Sequence, residues 1–163
     1  MFISTSLAMI FYFQDRLPSR VPVHFNGRGC PDRYGSRTEA LVIFPIMQAF
    51  VCSIYLISFY LTQNPKYWKK KLRKPVSEQG LSRLISKSNQ VVDWAMIWPL
   101  ILFLYLQWQS LLIAIGKTQR LGPGLYVILA LEFGGIVFFI IRLMLEQRRV
   151  LKADEASPRL QGS

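Results

Sequence analysis

The sequence predicts an all-α, multi-pass membrane bundle of four spans, the first one short, or of three, with a structured loop outside the membrane. Three observations predict it. Four stretches, Met1–Gln14, Ala40–Pro65, Trp94–Gly116 and Leu121–Ile141, make up about half of the 163 residues and hold one charged side chain, Glu132. The remaining charges crowd into the other half, whereas a soluble domain spreads them along amphipathic elements. The last three stretches are also long enough to cross ~30 Å of hydrocarbon as helices.

The net charge of +11, from 20 Lys and Arg against 9 Asp and Glu, therefore belongs to membrane topology rather than to nucleic acid. The longest polar stretch, Lys66–Asp93, has 28 residues, too few for an independent catalytic domain. Cys30 and Cys52 set no disulfide framework, since Cys52 falls ~20 Å along a helix that starts near Glu39.

The chain divides into residues 1–62 (short first helix, motif loop 17–37, second span), 63–90 (a basic loop with an interfacial helix), 91–145 (third and fourth spans) and 146–163 (a disordered tail). The first apolar stretch reaches only ~21 Å as a helix. Three explanations stand for it: a helix that begins further upstream, a span in a locally thinned bilayer, or a signal-peptide core. The second span, Ala40–Thr62, opens with the capping box Ser36-Arg37-Thr38-Glu39 and closes at Asn64-Pro65. The third runs from about Val91 to Ile115 with Pro99 inside it, and the fourth from about Leu125 to Leu145 after Gly122-Pro123-Gly124.

Lys and Arg counts set the orientation. Loop 64–90 and the tail after Leu145 carry twelve, against seven in 14–38 and 117–124. Both termini are therefore expected in the cytoplasm, with loop 17–37 outside. Lys66, Lys69, Lys70, Lys71, Arg73 and Lys74 are expected to rest on anionic lipid, with Tyr67 and Trp68 at the interface.

The outer loop is dense in turn residues. Val21, Val23 and Phe25 alternate with Pro22, His24 and Asn26 as on a short strand with one apolar face. Asn26-Gly27, Gly29, Pro31-Asp32 and Gly35 signal turns. The run Leu-Pro-x-x-Val-Pro-x-His-Phe-Asn-x-x-Gly-x-Pro-Asp-x-x-Gly-Ser-[Lys/Arg], from Leu17 to Arg37, resembles a bacterial domain of unknown function. That domain forms the first part of immunity proteins against the sporulation-delaying-protein toxin and also occurs alone in small membrane proteins. Pro22, His24, Phe25, Asn26, Gly29, Pro31, Asp32, Gly35 and Ser36 fall in register, and Arg37 stands where Lys is usual. The resemblance implies a membrane location and a fold, with no enzyme activity.

Two groups of residues are candidates for function. In the loop, His24, Asn26, Asp32 and Arg37 either hold the turns by hydrogen bonds or bind an extracytoplasmic peptide or headgroup. A lone His with nearby carboxylates is a weak metal signal, so no metal or cofactor is expected. In the spans, Glu132 shares its depth with Gln107, Gln109 and Gln48. A carboxyl in hydrocarbon is costly, so Glu132 is expected to be protonated or partnered, through a hydrogen bond to Gln107 or Gln48. Gly134-Gly135 would let another helix approach closely there. The leading expectation is a non-enzymatic membrane protein that binds or shields against an extracytoplasmic peptide, or stabilises a membrane partner. Its rivals are a small transporter working around Glu132 and an accessory subunit, as a homo-oligomer or within a larger complex.

Overall fold

The computed structural model describes residues 1–72 and 77–160. The elements in order are α1 (Phe2–Phe13), β1 (Arg20–Phe25), β2 (Pro31–Ser36), α2 (Arg37–Gln63), α3 (Pro65–Leu72), α4 (Glu78–Ala114) and α5 (Gly124–Leu160). The protein is mostly helical, as expected, and the motif loop adds a two-stranded antiparallel hairpin. Arg37–Gln63, Glu78–Ala114 and Gly124–Ala153 are long and apolar enough to cross a membrane. The 12 residues of α1 rise only ~18 Å, short of the hydrocarbon thickness.

Two boundaries differ from the sequence expectation. The interfacial helix and the third span are one helix, α4, of 37 residues. Likewise α5 runs past Leu145 to Leu160, through most of the segment expected to be disordered. Polar composition there suggested a coil, but helix propagates cheaply from a segment that is already helical. Arg73 and Lys74 lie outside the described residues, as does the side chain of Lys69.

The chain forms two compact units: residues 1–53 with 97–132, and 54–96 with 133–163. In the first unit, Phe13, Leu17, Val21, Val23, Ala40 and Leu111 form the core, flanked by Met9, Leu41, Ala114 and Ile115. Phe13 meets Trp108 edge-on at 5.8 Å between ring centroids. Ser6 on α1 and Gln107 on α4 are both fully buried. The Ser6 hydroxyl donates to Gln107 Oε1, and Gln107 Nε2 returns a bond to the Ser6 carbonyl. A reciprocal pair of this kind satisfies side-chain and backbone polar groups together, away from water.

The hairpin is irregular. Its register slips between Pro22 and His24, and again between His24 and Phe25. Such bulges turn a strand about its axis. They explain why strict alternation fails: Val21, Pro22 and Val23 are all buried, although Pro22 was expected on the polar face. The turn is closed by Asn26. Its Oδ1 accepts from the amides of Arg28 (2.9 Å) and Cys30 (3.1 Å), an arrangement that the short Asn side chain makes with its own backbone. Gly29 adopts φ +75°, and its carbonyl accepts from Leu121 N at 2.8 Å.

α2 begins as the capping motif predicts, with Ser36 Oγ accepting from Glu39 N at 3.1 Å. The Glu39 carboxylate meets Arg33 at 3.1 Å instead of completing the box. α4 ends in a Schellman motif. Gly116 takes φ +75°, Lys117 N bonds Leu112 O and Gly116 N bonds Ile113 O.

The second unit is built round Trp68, which is 1% exposed and packs with Leu81, Leu84 and Val150. The expectation that Trp68 lies at the lipid interface is thereby corrected. Asn64-Pro65 ends α2 and starts α3 at once, with Asn64 Oδ1 accepting from Lys66 N at 2.9 Å. That turn folds Trp68 inward, and its Nε1 donates to the Thr62 carbonyl at 2.9 Å. Gly135 lies directly under the Trp94 indole, while Gly134 has open space around it. The close approach expected at this glycine pair is therefore made by a side chain of α4.

The two hairpin glycines should behave differently. A Cβ on Gly29 would sit 3.1 Å from Leu121 Cβ at a left-handed φ, while one on Gly27 would meet nothing within 4 Å. Gly29→Ala should lower stability by about 1–2 kcal/mol in a detergent melt, and Gly27→Ala should leave it nearly unchanged.

Candidate functional site

Four contacts outside the strand ladder hold the motif loop 17–37. Ser110 on α4 donates its hydroxyl to the Pro22 carbonyl, and both residues are buried. Leu121, in the turn after α4, bonds Gly29. Tyr126 on α5 reaches the Gly27 carbonyl at 3.1 Å. Arg37, at the start of α2, donates to the Leu17 carbonyl. The hairpin is thus a fixed platform.

On this platform His24 and Asp32 face each other across the strands, Nδ1 to Oδ1 at 2.6 Å. The second register slip makes the pair, because Asp32 has no partner in the strand ladder. With Nδ1 engaged, the other ring nitrogen, Nε2, is left for a ligand, and the imidazole is 64% exposed. Among the described residues, no group of three or more His, Cys, Asp or Glu is placed to hold a metal ion.

Beside the pair lies a cleft of about 380 Å³. Val23, Phe25, Ile43, Phe44, Met47 and Phe103 supply apolar walls, while His24 and Asn26 supply polar edges. Pockets of this size, mostly apolar with a few fixed polar groups, are the usual form of a binding site. Gly35 helps to hold the shape, since a Cβ there would strike the Glu39 carboxylate and the Val23 side chain. Arg33 and Glu39 are both substantially exposed, and an ion pair of this kind contributes little to stability.

The polar residues within the apolar helices do not assemble as expected. Gln107 is committed to Ser6, and Gln48, although fully buried, has no hydrogen-bond partner on either amide atom among the described residues. Glu132, half-buried on α5, makes no hydrogen bond to either of them. Equal depth along three helices did not specify equal azimuth, so the amides and the carboxyl do not meet. Sequence reading also missed the cleft walls on α2 and α4, which look like ordinary span residues. Ser6 and Ser110 were the available signals, as hydroxyls inside apolar stretches.

The fold and the site define a helical protein with three helices fit to cross a membrane and a hairpin-borne apolar cleft. Residues 1–49 match the family described as Domain of unknown function (DUF1648). The match covers α1, the hairpin and the first half of α2. No curated protein and no solved structure matches the chain.

The buried amides should respond oppositely to an apolar replacement. Gln107→Leu strands the Ser6 hydroxyl and should cost about 1–3 kcal/mol. Gln48→Leu removes two unpartnered atoms and should leave the melting temperature in detergent unchanged or raised.

Proposed function

We propose that this is a non-enzymatic membrane protein that binds an extracytoplasmic peptide through the hairpin cleft, and so shields the membrane or a partner from that peptide. The observation that carries this reading is the cleft: apolar walls beside an imidazole whose orientation is fixed by Asp32. An apolar peptide side chain would fill it while a polar main-chain group meets His24. The likeness of the Leu17–Arg37 motif to toxin-immunity proteins supports the same reading. The charge bias of the loops favours the hairpin on the outer face of a membrane with the C-terminus inside, and so supports the same reading.

Two experiments test it. In a Cys52→Ser background, a membrane-impermeant thiol reagent should label Cys30 on intact cells and fail to label a cysteine placed by Lys70→Cys; the reverse pattern would invert the topology. Cells expressing the protein should survive purified sporulation-delaying toxin better than cells without it. His24→Ala and Met47→Arg should remove most of that protection while membrane insertion stays normal. Equal killing with and without the unaltered protein counts against the peptide reading.

A second reading, an accessory subunit, is favoured by α5. None of its most apolar 18-residue window is buried, and Glu132 has no hydrogen-bond partner among the described residues. A carboxyl in such a helix calls for a donor on another chain. Co-purification in mild detergent of a second membrane protein that Glu132→Leu releases would establish it.

A further inference from the structure

The second unit holds a cavity of about 460 Å³ that the peptide reading does not use. It lies where α4 and α5 both continue beyond their apolar runs. Its lining includes Arg83 and Ser77 with Gly80 from the start of α4, and Glu146, Arg149 and Val150 from α5. Val150 also belongs to the Trp68 core, so the cavity is backed by packed side chains.

The charges on its walls are unbalanced. Arg83 has no ion-pair partner among the described residues, and Arg149 has only Glu146 at 3.9 Å, the outer limit of an ion pair. Glu146 is far less exposed than Arg149, at 15% against 78%, and it approaches one terminal guanidinium nitrogen only, which leaves most guanidinium donors in solvent. Two guanidinium groups against one carboxylate leave the cavity wall with a net positive charge. Planar guanidinium matches phosphate oxygens in bidentate fashion, which a lysine cannot do.

Position narrows the anion. Arg149 stands four residues past Leu145, ~6 Å beyond the end of the apolar run, and Arg83 stands eight residues before Val91, ~12 Å from the start of its own. The headgroup layer adds ~5–8 Å on each side of the hydrocarbon, which takes in Arg149; Arg83 stands further out and belongs to the site through the cavity that it lines together with Arg149. Basic pockets beside membrane helices at such depth take anionic headgroups. α3 adds the exposed Lys66, Lys70 and Lys71 to the same unit, a diffuse attraction that raises the local concentration of anionic lipid.

We infer that Arg83 and Arg149 form a phosphate-binding site that holds the headgroup of an anionic phospholipid. The glycerol and acyl chains of that lipid would follow the apolar surface of α5, where Met144 and Leu145 are exposed.

The full-length protein in neutral detergent tests this, by titration with short-chain phosphatidylglycerol, short-chain phosphatidylcholine or inorganic phosphate. Melting temperature and native mass spectrometry are the readouts. Phosphatidylglycerol should bind and raise the melting temperature, and phosphatidylcholine should do so weakly. Arg83→Gln and Arg149→Gln should each weaken phosphatidylglycerol binding about tenfold, and the double variant should abolish the shift. Lys66→Gln with Lys70→Gln should leave most of it. Both arginines are exposed, so the variants should keep the unliganded melting temperature of the parent. An equal shift with inorganic phosphate would overturn the lipid source. Equal binding of both lipids, or a full shift in the double variant, would overturn the site.

Discussion

A backbone carbonyl buried among apolar side chains must find a donor, and this structure depends on how that is done at Pro22. The residue is fully buried, and its carbonyl accepts from the Ser110 hydroxyl across 88 positions of chain. In an apolar setting an unmet carbonyl costs several kcal/mol. β1 therefore lies against α4 in one register, and the slips on either side of His24 follow from holding that register while Val21 and Val23 stay inside. The His24–Asp32 pair and the cleft beside it are products of the same constraint.

The two units solve the problem of small size in different ways. In the first, α1 rises only ~18 Å, yet it is fixed by the Ser6–Gln107 pair and by Phe13 against Trp108. In the second, a single indole does the organising. Trp68 is aimed inward by the turn at Asn64-Pro65 and tied to the carbonyl of Thr62, where the last turn of α2 leaves carbonyls without helical partners. Continuation of α4 and α5 beyond their apolar runs supplies Leu81, Leu84 and Val150 to pack around it.

Much of the fold was legible because much of it is local or periodic. The three long apolar helices, the cap at Ser36 and the Asn26 turn each follow from residues within a few positions of one another. The strand character of Val21–Phe25 was also visible. What could not be read was pairing over distance. The bulge that buries Pro22 is set by Ser110, far along the chain, and the burial of Trp68 by helices still to come in sequence. Glu132 shows the limit most plainly: depth along a helix can be counted, but the direction of a side chain depends on helix packing that a single sequence does not encode. The tail after Leu145 was misjudged because polar composition outweighed the helix already running into it. The cleft walls were hidden because Ile43, Phe44 and Phe103 are what any span would contain.

The prolines of the hairpin carry one more consequence. A ribbon of two strands has free edges, and free edges recruit further strands. Pro22 in β1 and Pro31 in β2 have no amide hydrogen to offer, and the Pro22 carbonyl is already occupied by Ser110. Slipped register on either side of His24 breaks up what remains of a regular edge. Neighbouring copies crowded in one membrane thus have little backbone to zip together, and the ribbon stays a solitary two-stranded blade.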